Sequence, residues 1–306
     1  MKSITVKSPA SVSNLCCGFD ILGMALNEPF DIIKLSLKDE PGIIIQHTDH
    51  YQLPVTADKN IAGVALQAMM NALDYKNGFE IIISKQIKPG SGIGSSAASA
   101  AGIVVAANEL LGRPFGKRDL VTFAMEGEVI ASGSRHADNL APCIYGGLVL
   151  IRDTATLDII PLNTPPLFIT IVHPQIEIKT SYAREILPKE IPLKSAVVQW
   201  ANVAGLVTGF LKNDYALIAR SLEDIIIEPV RSKLIPGFDI VKSKCKEAGA
   251  LGGGISGSGP SLFMLSEKEE TAREVEAIMR NIYDQLAIEY KTYTTTISQN
   301  GVEVIE

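Results

Sequence analysis

Three segments bring together residue types that could do chemistry. The most telling is Lys88-Pro-Gly-Ser-Gly-Ile-Gly-Ser-Ser-Ala-Ala98, which follows a β-type run and opens an alanine-rich helical run. Its glycines, Gly90, Gly92 and Gly94, allow positive φ and leave no side chain between backbone and ligand, so several N–H groups can face one anion. Ser95 and Ser96 then stand at a helix N-terminus, where the dipole adds positive potential and a hydroxyl can reach a metal ion. A triphosphate suits such a cradle. The spacing is neither G-x-G-x-x-G nor G-x-x-x-x-G-K-[ST], which argues against a Rossmann or a Walker A site. A glycine-rich turn with an ordinary serine cap would use the same residues.

A second glycine run, Gly252-Gly-Gly-Ile-Ser-Gly-Ser-Gly-Pro-Ser261, lies far along the chain. It has no G-x-S-x-G elbow, so a hydrolase nucleophile is disfavoured. Alone it reads as a hairpin or bulge needing positive φ; paired with the first run, it suggests two loops converging on one ligand across a cleft. The third segment, Pro9-Ala-Ser-Val-Ser-Asn-Leu-Cys-Cys-Gly-Phe-Asp20, is polar and placed just after the first strand run. Asn14 and Asp20 could offer an amide and a carboxylate to a hydroxyl or an ammonium, or simply close an Asx-turn. His47 and His50 form an H-x-x-H pair with no third ligand, so solvated histidines are expected there.

These segments need a scaffold. With 306 residues, 46% of them hydrophobic and 20% charged, the chain can bury a large core and is expected to form about two domains. Strand-type runs fall at 4–7, 32–37, 43–46, 79–84 and 147–151, and helical runs at 61–73, 96–111 and 120–131. Asn60 and Asp119 are the expected caps of the first and third helices, and Gly112 with Pro114 stops the second. The stretch Pro161-Leu-Asn-Thr-Pro-Pro166 is the best linker candidate and divides the chain into 1–163 and 164–306. Beyond it are expected a strand at 168–172, helices at 195–211, 214–222 and 238–248, a strand at 262–265, a long helix at 268–288 and strands at 292–297 and 302–305. The elements interleave without regular βαβ repeats, so the expected class is α+β.

With 28 Lys+Arg against 34 Asp+Glu, a net charge of −6, no global positive field would gather nucleic acid or an acidic membrane surface. A small anion held by a few local donors remains open. The four cysteines, Cys16, Cys17, Cys143 and Cys245, form no C-x-x-C pair and fit a reducing cytosol. No apolar stretch approaches the roughly 20 residues of a membrane span, so a cytoplasmic location is expected.

Taken in order, the segments at 9–20, 88–98 and 252–261 resemble the three motifs of the GHMP family of small-molecule kinases, and the match spans nearly the whole chain. The resemblance implies a two-domain fold, with an N-terminal ribosomal protein S5 domain 2-like domain and a C-terminal ferredoxin-like α/β sandwich. It implies ATP along Lys88, Pro89, Gly90, Ser91, Gly92, Ile93, Gly94, Ser95, Ser96, Ala97 and Ala98, with Asn60 either touching the adenine or only capping its helix. It also implies Mg²⁺ held by Ser96, in preference to Ser95, and by Glu128, in preference to Glu126.

Within the family, Ser132-Gly-Ser-Arg-His-Ala-Asp-Asn139, Thr180-Ser-Tyr-Ala-Arg-Glu-Ile-Leu-Pro188 and Glu228-Pro-Val-Arg-Ser-Lys-Leu-Ile-Pro236 are worded as in members whose acceptor is L-homoserine. In those members an asparagine replaces the aspartate that serves mevalonate kinase and galactokinase as general base, and Asn139 is the matching residue. Asp138 beside it is not expected to take over that role. The implied substrate has a hydroxyl, a carboxylate and an ammonium. Arg184 and Arg231 would hold the carboxylate through bidentate charged hydrogen bonds. Asn14, Asp20, His136 and Asn139 would meet the ammonium and the reacting hydroxyl, with Thr180 also at the substrate. Asn139, His136, Glu128 and Ser96 form the implied catalytic set, and the hydroxyl proton would leave late, to a phosphate oxygen or a water. The implied product is O-phospho-L-homoserine, made in threonine biosynthesis by a homodimer. Two other readings stay open: a family member with a mevalonate, shikimate or sugar acceptor, and a ligand sensor on the same fold without turnover.

Overall fold

A computed structural model describes residues 2–133 and 135–306, which form two sheets with helices on their faces. The first sheet holds β1 (Ser3–Ser13), β2 (Leu22–Lys38), β3 (Ile43–His47), β4 (Gly78–Ser84), β5 (Leu148–Asp153) and β6 (Asp158–Leu162). The second holds β7 (Phe168–Pro174), β8 (Gly252–Ile255), β9 (Leu262–Ser266) and β10 (Tyr290–Thr296), after which β11 (Glu303–Val304) returns to the first. In chain order the helices are α1 (Ile61–Ala72), α2 (Ser95–Leu110), α3 (Lys117–Ser132), α4 (Leu140–Tyr145), α5 (Thr180–Glu185), α6 (Leu193–Lys212), α7 (Tyr215–Ser221), α8 (Glu228–Arg231), α9 (Phe238–Glu247) and α10 (Glu269–Gln285).

The first sheet runs β11-β1-β2-β4-β3, with β5 on the first residues of β2 and β6 outside β5; only β3 and β4 are parallel. The second runs β10-β7-β9-β8, antiparallel throughout. Side-chain alternation gives the two central strands of the second sheet, β7 and β9, two apolar faces. From β7, Ile169 and Ile171 enter a core shared with Leu22, Met24 and Leu148 of the first sheet, while Val172 joins Val275 and Met279 beneath α10. The shared core ties the two halves together.

Helix α2 is the axle of the first half. Ala97, Ala100, Ala101 and Ala107 are fully buried in it, and a Cβ on Gly102 would lie 2.6 Å from Ile33 Cδ1 and 2.9 Å from Ser8 Cβ. Small side chains let the helix lie directly on β1 and β2, which fixes where its N-terminus points.

Several expectations need correction. The first strand continues through Ser11–Val12–Ser13, which pair with Ala25, Met24 and Gly23 after a register shift at Pro9. Proline has no N–H for the ladder, and the irregularity absorbs it. Pro161 lies in β6, an edge strand that tolerates it, so the change of sheet falls at 163–167. The pairing of β11 with β1 brings the chain's last strand back across the proposed 163/164 division. Gly252–Ile255 is a strand, so the second glycine loop proper is 256–260. Gly116, not Asp119, is the N-cap of α3; Asp119 sits three residues in and accepts from the Gly116 N–H at 3.1 Å.

Candidate active site

The two halves enclose a cavity of about 340 Å³, lined from the first by β1, the 88–98 loop, Glu128 and the residues before α4, and from the second by Thr180, Arg184, Arg231, Gly257 and Ser258. The glycine loop forms its floor. Gly90, Gly92 and Gly94 have φ of +73°, +82° and +71°. A Cβ on Gly92 would stand 2.6 Å from the Gly259 carbonyl oxygen, and one on Gly94 would stand 2.1 Å from Ser11 Oγ. The second loop braces the first: Ser256 Oγ donates to the Gly92 carbonyl at 2.8 Å, and Ser261 Oγ to that of Ser91 at 2.6 Å.

Beneath the loop lies a buried clamp. Lys85 Nζ pairs with Asp31 and donates to the Ser95 carbonyl (3.0 Å) and Ser99 Oγ (2.8 Å). Asp31 Oδ1 accepts from the N–H groups of Gln86 (2.9 Å) and Ile87 (3.0 Å), and Ser95 Oγ donates to the Ile87 carbonyl at 2.8 Å. Both ends of the loop are therefore pinned. Ser95 is spent on this brace, whereas the Ser96 hydroxyl hydrogen-bonds Glu128. Burial pushes the Glu128 carboxyl up to about 7, against that hydrogen bond and with the charge of Asp138 adding to the rise. Glu126 faces elsewhere, paired with Arg135 at 2.6 Å.

At the other end, Asn14, Leu15 and Cys16 take positive φ in succession, as does Asp20, a strained turn held by its bonds. Asn14 Nδ2 donates to the Gly257 carbonyl (2.9 Å) and its Oδ1 accepts from the Asp20 N–H (3.0 Å). Arg184 Nη2 reaches both Asp20 oxygens, at 2.9 and 3.0 Å. Arg231 is 3% exposed and donates to the carbonyls of Ala183 (2.9 Å) and Gly257 (3.0 Å). Burial, with Arg184 nearby, lowers its guanidinium to about 10 despite Asp20. The Phe19 ring lies 5.3 Å from Arg184 and 5.2 Å from Arg231 and holds the two planes near it.

A chain of hydrogen bonds crosses the middle. Ser11 Oγ donates to Asn139 Oδ1 (2.8 Å), Asn139 Nδ2 to Ser13 Oγ (2.9 Å), and the Ser13 hydroxyl bonds the Asp138 carboxylate. Burial and then Asp20 raise Asp138 to about 6, opposed by Ser13. His136 Nδ1 is 3.9 Å from Asp20 Oδ2, and its buried Nε2 has no hydrogen-bond partner among the described residues. Burial lowers the pKa of His136, opposed by Asp20 and assisted by the two arginines, so the ring is neutral near pH 7. The cavity thus offers backbone amides at one end, two guanidiniums at the other, and between them two buried acids, Glu128 and Asp138, whose ionised forms a bound cation would stabilise.

Models of the GHMP kinase N-terminal and C-terminal domains match residues 60–147 and 206–285. The homoserine kinases of Chloroherpeton thalassium and Chlorobium phaeobacteroides are 45% and 43% identical to this chain, each aligned over 100% of both chains. The chain belongs to the GHMP kinases. Within them it stands among the homoserine kinases: the crystal structure of homoserine kinase from Cytophaga hutchinsonii superposes with a TM-score of 0.96 at 48% identity, covering 100% of this chain and 98% of that one. A mevalonate kinase structure at 16% identity and a TM-score of 0.73 shares the fold alone.

Not every residue expected at the site of this GHMP kinase faces the cavity. Ile93, Ala97 and Ala98 are buried in the core, and Lys88 reaches across to Gln175 Oε1 at 2.7 Å, so from these four only backbone is offered to a nucleotide. Asn60 lines the cavity, but its Oδ1 caps α1 through Ala62 and Gly63, and its Nδ2 meets the Pro54 carbonyl at 2.6 Å. The expected cap on α1 is present. His47 is not solvated: its ring is held between Asp49 (3.3 Å) and Asn60 (3.1 Å). Thr180 Oγ1 stands 3.3 Å from Ser258 Oγ at the rim. Sequence reading passed over Lys85, Asp31, Ser11, Ser13 and Phe19, and set Asp138 aside. A lysine closing an apolar strand and an aspartate inside another were the available signals for the clamp.

Proposed function

We propose that this chain transfers the γ-phosphoryl group of ATP to the side-chain hydroxyl of L-homoserine, giving ADP and O-phospho-L-homoserine. The observation that carries the reading is Arg231. It is buried, charged and bonded to two carbonyls, with no ion pair to a carboxylate among the described residues. Such a group favours an anionic ligand. With Arg184 it suits the α-carboxylate, while Asp20 and Asp138 suit the ammonium, which leaves the hydroxyl in the middle of the cavity, towards the glycine loop.

The amides of the 88–98 loop and the N-terminus of α2 hold the phosphates. Ser96 and Glu128 are an oxygen pair fit for Mg²⁺, which would keep its other places for phosphate and water and supply charge neutralisation on the phosphoryl oxygens. The His136 Nε2 accepts a hydrogen bond from the reacting hydroxyl, and Asn139 holds Ser13 and thereby Asp138 in place. The proton leaves late, to a phosphate oxygen or a water. The reading carries with it a role in threonine biosynthesis, a cytoplasmic location and a homodimer. It also assigns the ATP loop to 1–163 and the carboxylate site to 164–306.

An acceptor panel tests it. ATP turnover is expected with L-homoserine and not with mevalonate, shikimate, galactose or 4-hydroxybutyrate, the last being an acceptor without the ammonium. Faster turnover with mevalonate or 4-hydroxybutyrate would overturn the substrate assignment.

A further inference from the structure

Arg231 stands on α8, a helix of four residues, and a single helical turn does not fix its own direction. Its placement comes from two buried side chains outside the helix. Asp224 Oδ1 accepts from the N–H groups of Ile226 (2.9 Å) and Ile227 (3.0 Å), and Asp224 Oδ2 accepts from that of Glu228 (3.0 Å). Gln199 Oε1, on α6, accepts from the Ile225 N–H at 3.1 Å. The consecutive N–H groups of residues 225–228, which lead into α8, therefore all end on Asp224 or Gln199, themselves 8% and 7% exposed.

The Gln199 amide has one orientation, because the Ile225 N–H can only donate to it. Both hydrogens of its Nε2 are then spent, one on Asp224 Oδ1 at 3.0 Å and the other on the Cys17 carbonyl at 3.1 Å. Cys17 belongs to the strained turn that opens with positive φ at Asn14, Leu15 and Cys16 and ends at Asp20, the partner of Arg184. Gln199 is where the strap leading to Arg231 and the turn carrying Asp20 meet, on a helix of 20 residues. The geometry points to Gln199 as a positioning residue for the acceptor: it acts through Arg231, holding that guanidinium at a set distance from the Asp20–Arg184 pair so that both ends of one small amino acid are gripped together. That role rests on the reading of the cavity as an L-homoserine site. It bears on affinity rather than on the transfer itself, since Gln199 stands behind the cavity wall and not in it. Two other ties keep the turn and the strap near their places without it: Cys17 Sγ donates to the Ser221 carbonyl (3.5 Å) and Asn202 Nδ2 to that of Glu223 (2.9 Å).

The experiment is steady-state kinetics with ATP and L-homoserine on the full-length wild type, Gln199→Met, Arg231→Ala and the double variant, with the melting temperature of each recorded. Methionine keeps the length of glutamine and none of its hydrogen bonds. Gln199→Met is expected to raise the KM for L-homoserine roughly tenfold, with kcat and the KM for ATP changed by less than about twofold. In the Arg231→Ala background the same substitution should add less than about a twofold rise, because the group through which it acts is gone. Asp224→Asn, which keeps the shape and gives up an acceptor, is expected to show the same split between the two KM values, so the test does not hang on one variant folding. Full multiplication of the two single effects, equal rises in both KM values, or a lower melting temperature with both KM values unmoved would make Gln199 a structural support and overturn the assignment, as would failure of both Gln199→Met and Asp224→Asn to fold. A wild type that does not turn over L-homoserine would overturn the substrate reading and this role with it, whereas wild-type turnover with an unmoved Gln199→Met overturns this role alone.

Discussion

Replacing Asp138 by asparagine separates charge from shape at the centre of the cavity. The side chain is 4% exposed, and burial followed by repulsion from Asp20 raises its carboxyl from 3.8 to about 6. That displacement is worth about 3 kcal/mol against the ionised form. In the unfolded chain the same group titrates near 3.9, so between about pH 4 and pH 6 the folded state binds more protons than the unfolded state. Stability conferred by the protonated form is complete below that window, falls as pH rises through it and is level above it. The amide of the Asp138→Asn variant cannot ionise, but it offers one acceptor fewer to the N–H groups that the carboxylate satisfies. A net gain of roughly 1–3 kcal/mol at pH 8, and about half of that at pH 5, is expected. Thermal unfolding at the two pH values measures it, as a rise in the midpoint of a few degrees. The same variant should raise the KM for L-homoserine while kcat is largely kept, because an ammonium partner is lost and no proton acceptor is. Equal stability of the two proteins at pH 8 would refute the charge argument. Loss of kcat with KM unchanged would refute the ammonium role and make Asp138 the general base.

Arg184→Ala and Arg231→Ala should each raise the KM for homoserine by an amount equivalent to about 2–5 kcal/mol. Only Arg231→Ala should also lower the melting temperature, since Arg231 holds the carbonyls of Ala183 and Gly257. Gly92→Ala should abolish ATP binding or folding, because its Cβ would sit 2.6 Å from a backbone oxygen, whereas at Gly90 nothing lies within 4 Å and only the positive φ is strained, a cost of about 1 kcal/mol in urea unfolding. Lys85→Met leaves Asp31 buried without its cation and should cost about 3–5 kcal/mol of stability, whereas a change of KM for ATP with stability intact would show that Lys85 acts on the nucleotide itself.

The glycine loop was legible because φ > 0 and close backbone approach leave a local signature, and residues 88–98 carry it without help from the rest of the chain. The preference for Glu128 over Glu126 rested on the resemblance, and the structure adds the physical difference: one is buried against Ser96, the other paired with Arg135. The Lys85–Asp31 clamp spans 54 residues, and no local pattern links two opposite charges so far apart. The 9–20 segment read as a polar stretch beyond the first strand, yet Ser8, Ser11 and Ser13 are buried within that strand, and their hydroxyls serve α2, Asn139 and Asp138. Helices α5 and α8, which carry Arg184 and Arg231, have six and four residues. That is shorter than the roughly 11 residues over which a helical period can be recognised.

Everything proposed for this cavity turns on one reaction, the transfer of a phosphoryl group from ATP to a hydroxyl amino acid. Phosphorus NMR of ATP and Mg²⁺ with the protein, followed with and without L-homoserine, tests it without an intermediary. ADP and a phosphomonoester bonded to the homoserine oxygen are expected to appear in equal amounts, and only when homoserine is present. ADP with inorganic phosphate and no phosphomonoester, or ATP left intact in both tubes, would rule that transfer out.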